Sequence, residues 1–250
     1  MRTIDEALAS LPDSNLTPED IARYNAENKT EEEIKEIKFG RSSIILETKL
    51  GKDKINLGVA LQRSDFGLDW GETLRTILPQ GYIMLTNIQF LDYLSQLKAA
   101  LNGKKIYYVD GSIINDPKVI ESALDGILKE RESWRGEFID AYFIQKDGVL
   151  TINYGYRLYE KQIRHTFSES LSEDTLMENK WINLDELLRN STSQGLPKKD
   201  ISTGDVNYRR PMDETVSRFV ADSDWAVLNC GGDSGSSYDR LGVRRAKILK

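Results

Sequence analysis

From Asp222 to Lys250 the chain reads DSDWAVLNCGGDSGSSYDRLGVRRAKILK. Two strand-like runs, residues 225–230 and 240–249, enclose residues 231–239, which are small, polar and short of bulk. Glycine and serine lose much entropy on ordering and return little contact area, so such a run does not hold a shape by itself. It requires a rigid scaffold on both sides. Loops carried that way serve binding or catalysis more than stability.

The remainder of the chain is expected to supply that scaffold. Residues 37–62 read as two or three strands with a turn at Leu50-Gly51-Lys52-Asp53. Residues 69–78 read as a short helix closed by Pro79 and Gly81. Thr86 and Gln89 form a capping box, and Phe90, Leu91, Leu94, Leu97 and Leu101 then recur on one helical face as far as Asn102-Gly103. Residues 105–109 read as a strand. Asp116-Pro117 opens a further helix, with Ile120, Ala123, Leu124, Ile127 and Leu128 facing inward. Residues 137–144 and 149–156 flank Asp147-Gly148, a hairpin signal. Residues 181–188 suggest a short helix, and 190–211 a long irregular connection, a length that implies function or disorder. Residues 214–221 lead into the final strand–loop–strand unit. Helices and strands follow no βαβ rhythm, so the expected class is α+β with a mostly antiparallel sheet and flanking helices.

Residues 1–36 stand apart. They hold ten acidic and four basic residues, the whole net charge of −6. Thr17-Pro18-Glu19-Asp20 and the Thr30–Glu33 capping box each start a short helix. The segment is read as an acidic helical arm packed on the domain formed by 37–250, or as an attachment to a larger assembly. The body that remains carries 30 acidic and 30 basic residues. A neutral body argues against nucleic acid as a partner, since backbone binding needs a basic face. Arg240, Arg244, Arg245, Lys247 and Lys250 are the local exception, read as a solvated strand edge. No run of about 18 apolar residues exists, and the N-terminus lacks a signal-peptide core, so no membrane insertion is expected.

The chemistry-bearing residues are few. One cysteine, Cys230, excludes an internal disulfide, and one histidine, His165, argues against a His-based metal site. Gly232-Asp233-Ser234-Gly235 spells the serine-protease nucleophile signature, but His165 lies outside any matching histidine motif. A hydrolase using Ser234 is the alternative kept from another class. Asp222, Asp224, Asp233 and Asp239 are weighed as calcium ligands and read instead as residues that keep the loop solvated. Glu137 and Asp140 are assigned no catalytic role. No cofactor, metal or catalytic residue is expected.

Several short motifs together carry a resemblance. Phe219-x-Ala221-Asp222-Ser223, Leu228-Asn229-Cys230 and Leu241-Gly242-Val243-Arg244-x-Ala246 resemble the C-terminal part of the variable proteins of diversity-generating retroelements. Met84-Leu85-Thr86, Gln89-Phe90 and residues 134–141 (WRGEFIDA) are similar to the scaffold of that group. The resemblance implies a C-type lectin-like fold of the formylglycine-generating-enzyme type with a C-terminal variable region at about 222–250. It implies a non-catalytic ligand-binding protein on a virus particle or cell surface, diversified by adenine-directed mutagenesis. Mutated AAC codons do not yield Trp, Met, Lys, Glu or Gln, and residues 226–240 contain none of these. The single cysteine departs from the cysteine pair of the related oxidases.

Alternation along a strand places Ala226, Leu228 and Cys230 in the core and Trp225, Val227 and Asn229 outward. The expected ligand-binding surface is Trp225, Val227, Asn229, Gly231, Gly232, Ser234, Gly235, Ser236, Tyr238 and Asp239. Trp225 and Tyr238 are its aromatic anchors. The expected partner is an unidentified protein or surface ligand.

Overall fold

A computed structural model describes residues 42–129, 135–222 and 225–249, with only the backbone of Asp222. The acidic segment 1–36, Trp134, the Asp222 side chain, Ser223, Asp224 and Lys250, all named above, lie outside the described residues.

The described chain is α+β, and its sheets are mostly antiparallel. It opens with a hairpin of β1 (Ser43–Leu50) and β2 (Asp53–Ala60), turning at Gly51 as expected. Helix α1 (Trp70–Ile77) starts on a capping box between Asp69 and Glu72, and a 3-10 turn (Leu78–Gln80) ends it at left-handed Gly81. Helix α2 (Asn87–Leu101) starts on the Thr86–Gln89 capping box read in the sequence. Helix α3 (Pro117–Leu128) follows, capped by Asp116.

Next come β3 (Arg135–Lys146) and β4 (Val149–Tyr154), joined through Asp147 and Gly148, both at positive φ. Short strands β5 (Arg157–Tyr159), β6 (Gln162–Arg164), β7 (Phe167–Ser170) and β8 (Lys180–Ile182) precede helix α4 (Leu184–Asn190). The chain ends with β9 (Val206–Arg209), β10 (Thr215–Asp222), β11 (Trp225–Asp233), β12 (Leu241–Val243) and β13 (Ala246–Ile248).

The main sheet runs β7-β4-β3-β10-β11-β9-β8, with β12 beside β3. The β11–β9 and β12–β3 pairs are parallel and the rest antiparallel. A smaller sheet, β1-β2-β13, brings the last strand onto the first hairpin. Helix α2 packs between them: it touches β1 and β3, and Phe90 meets Phe219 of β10 at 5.2 Å between ring centroids. On another side Trp70 of α1 donates its indole N–H to the Ile139 carbonyl and lies edge-on to Tyr156. Strand β3 is therefore covered broadly, and residues 136–143 are all buried.

Four expectations are corrected. Residues 105–109 form no named strand. The chain touches β1 through one bridge, Tyr108 to Ile44, and turns back at Gly111, φ 84°, before a ladder can grow. Residues 181–188 are not one helix. Asn183 accepts from the Glu186 amide and starts α4 only there, leaving Trp181 and Ile182 on β8. Residues 190–211 are not a wholly irregular connection. Leu196 and Ile201 are buried and β9 lies within the stretch. Gly195 (φ 73°) packs on the start of α2, where an added Cβ would stand 2.4 Å from the Ile88 nitrogen, so close approach demands glycine.

The fourth concerns the basic end. Arg244 is no solvated edge residue: it is 2% exposed. Its guanidinium bonds both Glu137 carboxylate oxygens at 3.0 and 3.1 Å, the carbonyls of Ala60 and Leu61, and the Tyr93 hydroxyl. A buried charge survives only when paired and hydrogen-bonded, and here one residue joins β3, the end of β2 and α2. Arg245 is also engaged, with Asp65 at 2.6 Å.

Candidate binding face

Alternation does place Ala226, Leu228 and Cys230 inward, at 7%, 1% and 0% exposure. The Cys230 thiol is pushed up to about 12 by burial and stays protonated, a packing residue rather than a nucleophile. Trp225 is 43% exposed, and Val227 and Asn229 are half-buried on the opposite face of β11.

The register shows what lies beside them. Val227 stands opposite Asn207 of β9 and Val220 of β10, and Asn207 stands opposite Trp181 of β8. One row therefore reads Trp181, Asn207, Val227, Val220. The next reads Arg209, Asn229, Arg218. Cross-strand neighbours such as these act as one surface. The Trp181 and Trp225 rings meet edge-to-face at 5.4 Å, and both remain exposed. Such an arrangement lets two aromatics hold one another while offering their other surfaces to a partner.

Asn207 Oδ1 and Arg218 Nε are buried without a hydrogen-bond partner among the described residues. Burial pulls the Arg218 guanidinium below its ordinary range, opposed by the neighbouring Tyr238 hydroxyl and Asp233 carboxylate. The second arginine, Arg209, is exposed.

The tip follows. Strand β11 runs to Asp233, so Gly231 and Gly232 belong to it and not to the loop. Gly232 is buried, and an added Cβ would stand 2.9 Å from the Val216 carbonyl oxygen, which removes it from the binding surface. Gly231 is half-buried against Met212 and the Arg210 carbonyl. Beyond Asp233, Ser234 and Ser236 are half-buried, and Gly235, Ser237, Tyr238 and Asp239 are exposed. Tyr238 is 49% exposed. Gly235 has no positive φ, and an added Cβ would meet only Asp233 Oδ1, at 3.5 Å.

Both ends of the tip are fastened. The Trp70 amide, at the start of α1, donates to the Ser234 carbonyl at 3.1 Å. The Gly136 amide and Arg63 donate to the Arg240 carbonyl. The tip also contributes to its own order, because the Asp233 carboxylate accepts from the Gly235 amide at 2.9 Å. That local bond was not anticipated from a run of glycine and serine.

The His165 ring lies edge-on to Tyr156, with 5.8 Å between ring centroids. No group of three or more His, Cys, Asp or Glu placed to hold a metal exists among the described residues. No helix among them is long and apolar enough to cross a membrane.

Trp181, Asn207, Arg209, Arg218 and Val220 were missed in the sequence because sheet order is not periodic in it. The face takes residues from β8, β9 and β10, and only the register brings them to Val227 and Asn229. The chain matches no family model, no curated protein and no solved structure.

Proposed function

We propose that the protein is a non-catalytic binding protein whose C-terminal tip and adjoining sheet face receive a protein or surface ligand. The observation that carries this reading is the contrast within residues 231–244. Gly235, Tyr238 and Asp239 are exposed, while Gly232, Gly242 and Arg244 are locked by contacts that admit no larger residue or no loss of charge. A surface of this kind changes its chemistry at the tip without disturbing the core beneath it.

The finer reading follows the resemblance: a C-type lectin-like scaffold of a retroelement-diversified protein, displayed on a virion or cell surface, with residues 1–36 as its attachment. The residues free to vary are then Val227, Asn229, Ser234, Gly235, Ser236, Tyr238 and Asp239, flanked by the invariant Trp225 and by Trp181, Asn207, Arg209 and Arg218. Aromatic and arginine residues on that list supply the anchors common to recognition surfaces.

The test is a panel carrying Tyr or Asp at 234, 235, 236 and 238, screened against displayed protein libraries. Partner choice that follows the tip sequence at constant stability supports the reading. Binding that ignores these positions removes it.

A further inference from the structure

A cavity of about 210 Å³ lies under the first turn of α2, away from the tip. Asn87, Ile88 and Asp92 of α2 line it, together with Asp140 of β3 and Ile152 and Tyr154 of β4. Exposed Lys49 and Ser193 stand at its rim.

Two side chains in its wall are built in and unsatisfied. Asn87 is 3% exposed, and neither its amide oxygen nor its amide nitrogen has a hydrogen-bond partner among the described residues. Asp140 is 1% exposed. Its Oδ2 accepts from the Gly155 and Tyr156 amides, both at 3.1 Å, and its Oδ1 has no partner among the described residues. Buried polar atoms are rarely left unpaired in native structures. The Asn87 argument holds in either amide orientation, since both atoms are orphaned.

We infer that this cavity binds a small organic amine. An ammonium group donates to Asp140 Oδ1 and Asn87 Oδ1, and an acceptor on the same molecule takes the Asn87 amide N–H. The apolar wall of Ile88, Ile152 and Tyr154 receives its carbon stem. Two carboxylates, Asp92 and Asp140, line the cavity and disfavour an anion. Arg157 attracts the Asp140 charge but does not line the cavity, and Lys49 reaches it only at the exposed rim. The volume far exceeds what one water molecule requires, and a bare metal ion would leave the apolar wall unused. This site is independent of the tip and of the function proposed for it.

The probe is 3-amino-1-propanol, titrated into the full chain above neutral pH and followed by amide chemical shifts. The neutral control is 1,3-propanediol. Saturable shifts are expected at Asn87, Ile152, Gly155 and Tyr156 with the amine and not with the diol. Asp140→Asn is expected to weaken binding about tenfold or more, because it removes a charge-assisted bond. If that variant does not fold, Asn87→Ala carries the same expectation, with its fold checked by circular dichroism. Absence of saturable shifts, equal response to the diol, or unchanged affinity in a folded variant overturns the site and leaves only a hydrated cavity.

Discussion

Gly232 and Gly235 stand three residues apart and obey opposite rules. At Gly232 the backbone of β10 leaves no room for a methyl group, and at Gly235 the space is open and φ suits any residue. Gly232→Ala is expected to cost about 1–3 kcal/mol through overpacking. Gly235→Ala is expected to be neutral or to stabilise by up to about 1 kcal/mol, by restricting the unfolded chain. Urea denaturation of both variants checks the pair. Asp140 supplies a second residue-scale test. Burial pushes its carboxyl up to about 7, against the opposing pull of Arg157 and the Tyr156 and Gly155 amides. A folded pKa above the unfolded one means the folded state holds the proton more tightly. That contribution is complete below about pH 4 and is lost as pH rises through 7. Asp140→Asn abolishes this dependence. Relative to wild type the variant should gain about 2–3 kcal/mol between pH 5 and pH 8, read from urea midpoints at the two values.

Elements with strong local signals were legible in the sequence. The Thr86–Gln89 capping box, the Asp116-Pro117 start and the Asp147-Gly148 turn each act within a few residues, and each stands where expected. The failures share one cause, long-range pairing. Whether residues 105–109 complete a ladder depends on a turn beyond them. Whether Arg244 faces water depends on Glu137, 107 residues earlier in the chain. Only three of the residues flanking that bond, Leu241, Gly242 and Val243, form β12, so the clasp does much to seat it. Arg244→Met leaves the Glu137 carboxylate buried and unpaired, an expected loss of about 3–5 kcal/mol. Arg244→Met with Glu137→Leu should recover much of that loss, because removing both charges is far less costly than removing one. Chemical denaturation of the single and double variants measures the difference.

At the scale of the whole molecule, the start of α1, strand β3 and Arg63 fix both ends of a short tip. The tip was legible in the sequence as a run without bulk, and so was the alternation that turns Trp225, Val227 and Asn229 outward. The rest of the face was not, since Trp181, Asn207 and Arg218 reach it from strands that are distant in the chain. A partner that uses the whole face should be sensitive to those residues as well as to the tip. Trp181→Ala is therefore expected to weaken binding by at least tenfold while leaving the unfolding midpoint nearly unchanged, as a surface calorimetry titration against a selected partner would show.

The most direct test is the thermal stability of a library with residues 234–239 randomised in one chain, sorted in parallel for binding. Substitutions away from the fastened ends should shift Tm by no more than a few degrees, since each exposed change is worth about 0.5 kcal/mol or less. Binders to different targets should then emerge from folded members of one scaffold. A library in which most members unfold, or in which folded members all share one binding behaviour, contradicts the account.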